Sequence, residues 1–117
     1  MSVISKLQIK PGQSVAVLGK PEDVDLEVES PAGDPAAADA VLAFVTVADD
    51  LLGPDARAAL DAARRDALAW VAYPKAGKLG TDLNRDTLAA ALSEQGVRPV
   101  RQIAVDHTWS ALRFRPA

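Results

Sequence analysis

The residue types that could carry chemistry are concentrated in a polar stretch that follows the apolar run from Leu68 to Tyr73. Its basic and hydrogen-bonding members are Lys75, Lys78, Thr81, Asn84 and Arg85. The stretch stands between a predicted strand and a predicted helix, where α/β proteins bind ligands and helix N-termini offer free N–H groups. It therefore predicts a site for a small anionic ligand such as phosphate, sulfate or a carboxylate. Its spacing is not that of a Walker A loop, and solvated surface lysines are the alternative interpretation.

The segment Asp106-His107-Thr108-Trp109 is the second candidate, because the turn of a C-terminal hairpin would lie at the same end of the sheet. We expect His107 or Trp109 to form the opposite wall of the anion site, with Trp109 partly exposed at the start of an edge strand. His107 is the only histidine, and its ordinary pKa allows acid or base chemistry near neutrality. Adjacent residues of an extended chain point to opposite faces, so Asp106 and His107 do not make a dyad by proximity alone. A turn histidine without a catalytic role is the favoured interpretation.

Several kinds of site do not fit the composition. The chain has no cysteine, which excludes disulfides, thiolate nucleophiles and zinc sites built from cysteine. No serine lies in a Gly-x-Ser-x-Gly elbow, and the lone histidine has no carboxylate at a recognisable metal-ligand spacing. The sequence therefore predicts neither a metal nor a cofactor.

Charge is divided unevenly along the chain. Residues 1–50 carry three Lys and nine Asp or Glu, whereas residues 51–117 carry ten Lys or Arg and seven acids. The second half could steer an anion, but a chain of net charge −3 without a concentrated basic stripe does not fit a nucleic-acid-binding protein. We expect Arg101, Arg113 and Arg115 to share a face of the C-terminal hairpin. Protection of a sheet edge is favoured there over a partner or anion surface.

The apolar runs are too short for membrane insertion. None approaches the length of a membrane span, and the N-terminal segment MSVISKLQIKPGQ lacks the apolar core of a signal peptide. We therefore expect a cytoplasmic protein without membrane contact.

The elements that position these residues follow from hydrophobic periodicity and turn signals in one domain, residues 1–117. Strands are predicted at residues 14–19, 24–28, 39–47, 68–73, 97–105 and 109–115. Helices are predicted at residues 2–8, from Pro54 to about Arg65 or Asp66, and over about eleven residues that begin with Asp82 or Asn84 as cap and end at Gly96. This order predicts an α/β fold, a reduced Rossmann-like domain with a mostly parallel sheet and a C-terminal antiparallel hairpin. Trp70 is expected in the core.

Four segments carry a resemblance to a known family: IKPGQSVAVLG, ADAVLAFV, ALAWVAYPKAG and TWSALRFRPA. Over most of its length the chain resembles a small actinobacterial family of domains of unknown function. Its architecture is more distantly similar to class I methyltransferases that use S-adenosylmethionine. Those enzymes have a Gly-x-Gly-x-Gly loop after the first strand, whereas here Gly19 is followed by Lys20-Pro21. S-adenosylmethionine is therefore not expected to bind.

Taken together, these features predict a domain without nucleotide cofactor that acts as a binding, regulatory or interaction module for a small anionic ligand or a protein partner. The alternative is a divergent methyltransferase-like or other small enzyme that uses residues 75–85 and His107. Fold analogy does not decide between them.

Overall fold

Three apolar segments form the parallel part of a five-stranded sheet. The computed structural model describes residues 3–26, 33–75 and 77–117. Its parallel strands are β1 (Val15–Leu18), β2 (Ala40–Phe44) and β3 (Leu68–Pro74). β2 lies between the other two, and all five of its residues are buried. A near-continuous apolar run is typical of a strand covered on both faces, and the structure confirms that prediction for β2.

The C-terminal part of the sheet is an antiparallel hairpin of β4 (Val97–Ala104) and β5 (Trp109–Pro116). The strand order is β1-β2-β3-β5-β4, so β5 pairs with β3 on one side and with β4 on the other. The expected mixed α/β sheet, parallel at its N-terminal side and antiparallel at its C-terminal end, is confirmed. The position of β5 is a correction, because the edge strand is β4.

Three α-helices in the described ranges pack on the sheet: α1 (Val3–Lys6), α2 (Pro54–Arg64) and α3 (Arg85–Ser93). Pro54 stands in the first turn of α2, where its missing N–H has no partner to lose. Asn84 is the cap of α3, which decides between the two residues that the sequence offered. None of the helices in the described ranges is long and apolar enough to cross a membrane.

The two faces of the sheet pack against different parts of the chain. Buried residues of α2 and α3 form one core with the sheet. On the other face, Trp70 and Trp109 pack with Leu7 and Phe44 in a second core. The Phe44 and Trp109 rings meet edge to face with centroids 5.1 Å apart, and the Trp70 indole N–H donates to the carbonyl of Leu7. The expected core position of Trp70 is confirmed, since its side chain is fully buried.

The predicted strand at residues 24–28 is not formed over its described part. Val24 to Leu26 have no strand pairing, and residues 27 and 28 lie outside the described residues. The Val24 N–H closes a turn on the carbonyl of Pro21, and the Lys20 ammonium donates to the carbonyl of Val24. The Val24 side chain is buried in the second core. Over residues 24–26 the alternation of apolar and acidic residues thus belongs to a loop whose Val24 side chain is buried.

Candidate anion-binding surface

The polar loop after β3 is held to the segment after β2 by hydrogen bonds. The Thr81 hydroxyl donates to the carbonyl of Thr46, and it accepts from the N–H of Leu83 at 3.0 Å. One carboxylate oxygen of Asp82 accepts from the N–H of Ala48 at 2.8 Å. These contacts join two loops at the carboxyl ends of β2 and β3, and they satisfy the Thr81 side chain within the fold. Thr81, a predicted ligand residue, therefore has a structural role.

The start of α3 is likewise satisfied by its own residues. The Asn84 side-chain oxygen accepts from the N–H of Thr87, and the Asn84 N–H donates to the Thr87 hydroxyl, both at 2.9 Å. Arg85 is exposed and contacts the carboxylate of its neighbour Asp86 at 3.4 Å. Asn84 therefore caps the helix, whereas the Arg85 side chain is half exposed to solvent.

The hairpin turn lies beside this loop, as the sequence predicts. The Lys75 N–H donates to the carbonyl of Thr108 at 2.7 Å, while Lys78 and His107 are exposed. Asp106 accepts from the N–H groups of Thr108 and Trp109, both at 2.8 Å, and so shapes the turn. Trp109 is only 2% exposed. This corrects the expectation that its ring forms a wall of a surface site, because pairing on both sides of β5 places the ring in the second core.

The carboxyl end of β1 is filled by the protein itself. Gly19 has a φ of +70°, and a Cβ there would lie 3.0 Å from a carboxylate oxygen of Asp55 and 3.1 Å from the carbonyl of Phe44. The nearby depression, of about 340 Å³, is lined by Asp49, Asp50 and Asp55. Its acidic lining does not suit an anion. In the described ranges, no group of three or more His, Cys, Asp or Glu could hold a metal ion.

A positively charged surface lies at the opposite end of the parallel strands. The hairpin register places Arg98 directly opposite Arg115 and Arg101 directly opposite Arg113. Arg113 also pairs with Trp70 across β3 and β5. All four arginine side chains therefore lie on the face of the sheet that carries the second core. We call these four residues the arginine face. The sequence indicated three of them. Arg98 was missed because a register shift between Pro99 and Arg101 brings it into line.

The arginine face is only partly neutralised. Arg115 makes a bidentate contact with the carboxylate of Asp66, with hydrogen bonds of 3.0 and 3.1 Å. Hydrogen bonding to Arg115 is the main cause that lowers the pKa of Asp66. The same contact raises the pKa of Arg115. In the described ranges, this is the one ion pair to the four arginines. Like charges that face each other across strands are destabilising. The surface therefore carries unbalanced positive charge.

Arg113 is the most constrained of the four. One terminal nitrogen donates to the Gln8 side chain at 2.9 Å, but its Nε is buried with no hydrogen-bond partner among the described residues. Desolvation, followed by the charge of Arg115, lowers the pKa of Arg113. The residue also lines a depression of about 430 Å³, together with Arg65 and Asp39. Arg101 is exposed and makes no hydrogen bond or ion pair with a described residue.

A partly buried hydrogen bond on the other face of the sheet was not singled out from the sequence. The Gln102 amide donates to the Tyr73 hydroxyl at 3.0 Å, and Ser110 is buried beside them. Burial is the main cause that raises the pKa of Tyr73, so its phenol stays neutral and serves as a hydrogen-bonding group. Only the pairing of β3, β4 and β5 brings these residues together.

No protein-family model matches this chain, and no curated protein matches it in sequence.

Proposed function

We propose that this chain is a non-catalytic binding module that recognises anionic groups, either of a small ligand or of a protein partner, through the arginine face. The proposal includes a reduced Rossmann-like fold without nucleotide cofactor, a cytoplasmic location and membership of the actinobacterial family that the sequence resembles. The observation that carries it is the direct opposition of Arg98 with Arg115 and of Arg101 with Arg113.

Charge and hydrogen bonding support an anion at this surface. The two arginines of each opposed pair repel each other. A phosphate or carboxylate placed between them would replace this repulsion by charge-assisted hydrogen bonds. Arg101 and the second terminal nitrogen of Arg113 make no hydrogen bond with a described residue. They are the groups that we expect to reach the ligand first.

We propose no nucleotide cofactor because of the contacts at the carboxyl end of β1. The backbone of Gly19 already lies against Phe44 and Asp55. A dinucleotide or S-adenosylmethionine site needs room for the cofactor beside that backbone, and acidic side chains there disfavour phosphate.

The second candidate function is a small enzyme that uses residues 75–85 and His107. The contact between Lys75 and Thr108 favours it, because it brings the loop after β3 beside the hairpin turn. Against it stand the structural hydrogen bonds of Thr81 and Asn84.

An NMR titration with inorganic phosphate and with citrate distinguishes the two locations. We expect the backbone amides of Arg98, Val100, Arg101 and residues 113–115 to shift, and those of residues 75–86 and 106–109 to stay unchanged. Arg101→Glu should weaken binding at least about tenfold, since it converts an attractive contact with the anion into a repulsive one. The folded state should tolerate this change, because a carboxylate opposite Arg113 forms an attractive cross-strand pair.

Arg85→Glu is the matched control, since it makes the same change of charge at the other candidate location. It should leave the affinity for phosphate and citrate unchanged. Shifts confined to residues 75–86 and 106–109, with binding lost in Arg85→Glu, would overturn the proposal in favour of the loop. No shift at millimolar anion would overturn the arginine face as an anion site.

A further inference from the structure

A groove on the helix-covered side of the sheet has an apolar floor and charged ends. It encloses about 420 Å³ and separates α2 from α3. The side chains that matter for its chemistry are those of Leu51, Leu52, Arg57, Leu60, Leu92 and Glu94. Leu60 and Leu92 belong to the core beneath, and Leu51 packs against that core. Arg64 ties the C-terminal ends of the two helices together by donating to the carbonyl of Gln95 at 3.2 and 2.9 Å.

Leu52 protrudes from the rim of this groove. Its side chain is 89% exposed, which makes it the most exposed large apolar residue among those described. It stands in a single turn of 3-10 helix, Ala48–Leu52, just before α2. A leucine so fully exposed has few apolar contacts of its own, and its burial on the apolar floor of a groove is favourable.

The charges at the rim are complementary to each other. Arg57 and Glu94 line the same groove from α2 and from the end of α3, and both are exposed. Neither makes an ion pair or hydrogen bond with a described residue. A surface that carries a projection, a groove and both signs of charge can fit a copy of itself, because in a two-fold interface each contact between two different residues is made twice, once in each direction.

We infer that two copies of this chain associate through the groove. Leu52 of each copy packs on the apolar floor of the other, and Arg57 of each copy pairs with Glu94 of the second copy. The inference rests on the helix side of the sheet, whereas the proposed anion surface lies on the opposite side. Either can therefore fail while the other holds.

Sedimentation equilibrium of the full chain over a range of concentrations tests the association. We expect a monomer–dimer equilibrium, and we expect Leu52→Asp to raise its dissociation constant at least about tenfold. Leu79→Asp is the matched control, because Leu79 is also exposed, at 61%, and lies outside the groove. It should leave the equilibrium unchanged. Circular dichroism checks that each variant is folded.

A charge exchange tests the geometry of the pair. Arg57→Glu and Glu94→Arg should each weaken association, since each places like charges opposite one another in the dimer. The double variant should restore it. A monomer at about 1 mM would overturn the inference and leave the groove to a different protein. A dimer that is insensitive to Leu52→Asp, or that the double variant fails to restore, would also overturn it.

Discussion

The two ends of the parallel strands use their polar residues in opposite ways. At the carboxyl ends, Thr81 and Asp82 each bond a backbone group of the segment after β2, and Asn84 bonds a backbone N–H of the helix that it caps. At the amino ends, Arg113 keeps a buried nitrogen without a partner among the described residues, and Arg101 faces it with the same charge. Polar side chains whose hydrogen bonds are used within the fold have few donors or acceptors left for a ligand. Arginines that face other arginines across the sheet keep free donors and positive charge for one.

The difference shows that a residue's position at a strand end indicates a ligand site less well than whether its polar groups already have hydrogen-bond partners in the fold. Ligands favour the carboxyl ends of parallel strands when loops there leave their N–H groups and side chains open. In this chain Asp50 accepts from the N–H groups of Thr46 and Val47, so the loop after β2 closes on itself. The unbalanced groups lie instead at the other end, on a hairpin that is antiparallel to β3.

The largest effect that we expect comes from β3, the strand that runs between the two ends. Trp70→Ala should lower the free energy of unfolding by about 3–5 kcal/mol, through lost burial and the cavity that remains. Urea denaturation measures this. Trp70→Phe, which keeps much of the volume and removes the hydrogen bond to Leu7, should cost less. An unchanged urea midpoint for Trp70→Ala would contradict the packing of Trp70 in the second core. It would also contradict the position of Arg113, which pairs with Trp70 across β3 and β5.

A smaller effect separates the roles of the two ends. Thr81→Val removes a hydroxyl that bonds both Thr46 and Leu83, and we expect a loss of about 1–2 kcal/mol in the free energy of unfolding. Thr81→Ser keeps the hydroxyl and should retain most of the stability. Both variants should bind phosphate and citrate as the parent chain does. Weaker anion binding in Thr81→Val, with its fold intact, would return the ligand site to the carboxyl ends.

The smallest effect concerns pH at the amino end. The Arg115 guanidinium lowers the pKa of Asp66 in the folded chain, so the pair stabilises the fold above about pH 4 and loses this contribution as the pH falls through the folded pKa. The difference in thermal midpoint between the parent and Asp66→Asn should therefore narrow as the pH is lowered to about 3. In an Arg115→Gln background the narrowing should largely disappear. If the difference in thermal midpoint did not change with pH, the ion pair between Asp66 and Arg115 would not neutralise charge on the arginine face.

Much of the fold follows from local sequence signals. The runs that became β1, β2 and β3 are apolar on both sides, as strands covered on both faces must be. Pro54 begins α2 and Asn84 caps α3 for reasons confined to one turn of helix. These elements were predictable because burial and capping depend on neighbours in the sequence.

What could not be predicted depends on contacts between distant segments. Nothing local to Trp109 says that β5 has a neighbour on both sides, so its burial was missed. The alternation around Val24 fits a strand, yet the backbone there turns on Pro21. Thr81 finds its acceptor 35 residues earlier in the chain. The alignment of Arg98 with Arg115 depends on a register shift that a period of two does not reveal.

β5 follows β4 in the sequence, yet it fills an interior position of the sheet between β3 and β4. A nascent chain that has reached residue 104 therefore holds β3 with one open edge and β4 without its partner. An open edge as apolar as Leu68–Pro74 invites pairing with other chains. The sheet can close only when residues 109–116 have left the ribosome. We therefore expect the domain to fold in one late step after synthesis of β5, and the incomplete chain to depend on chaperones until then.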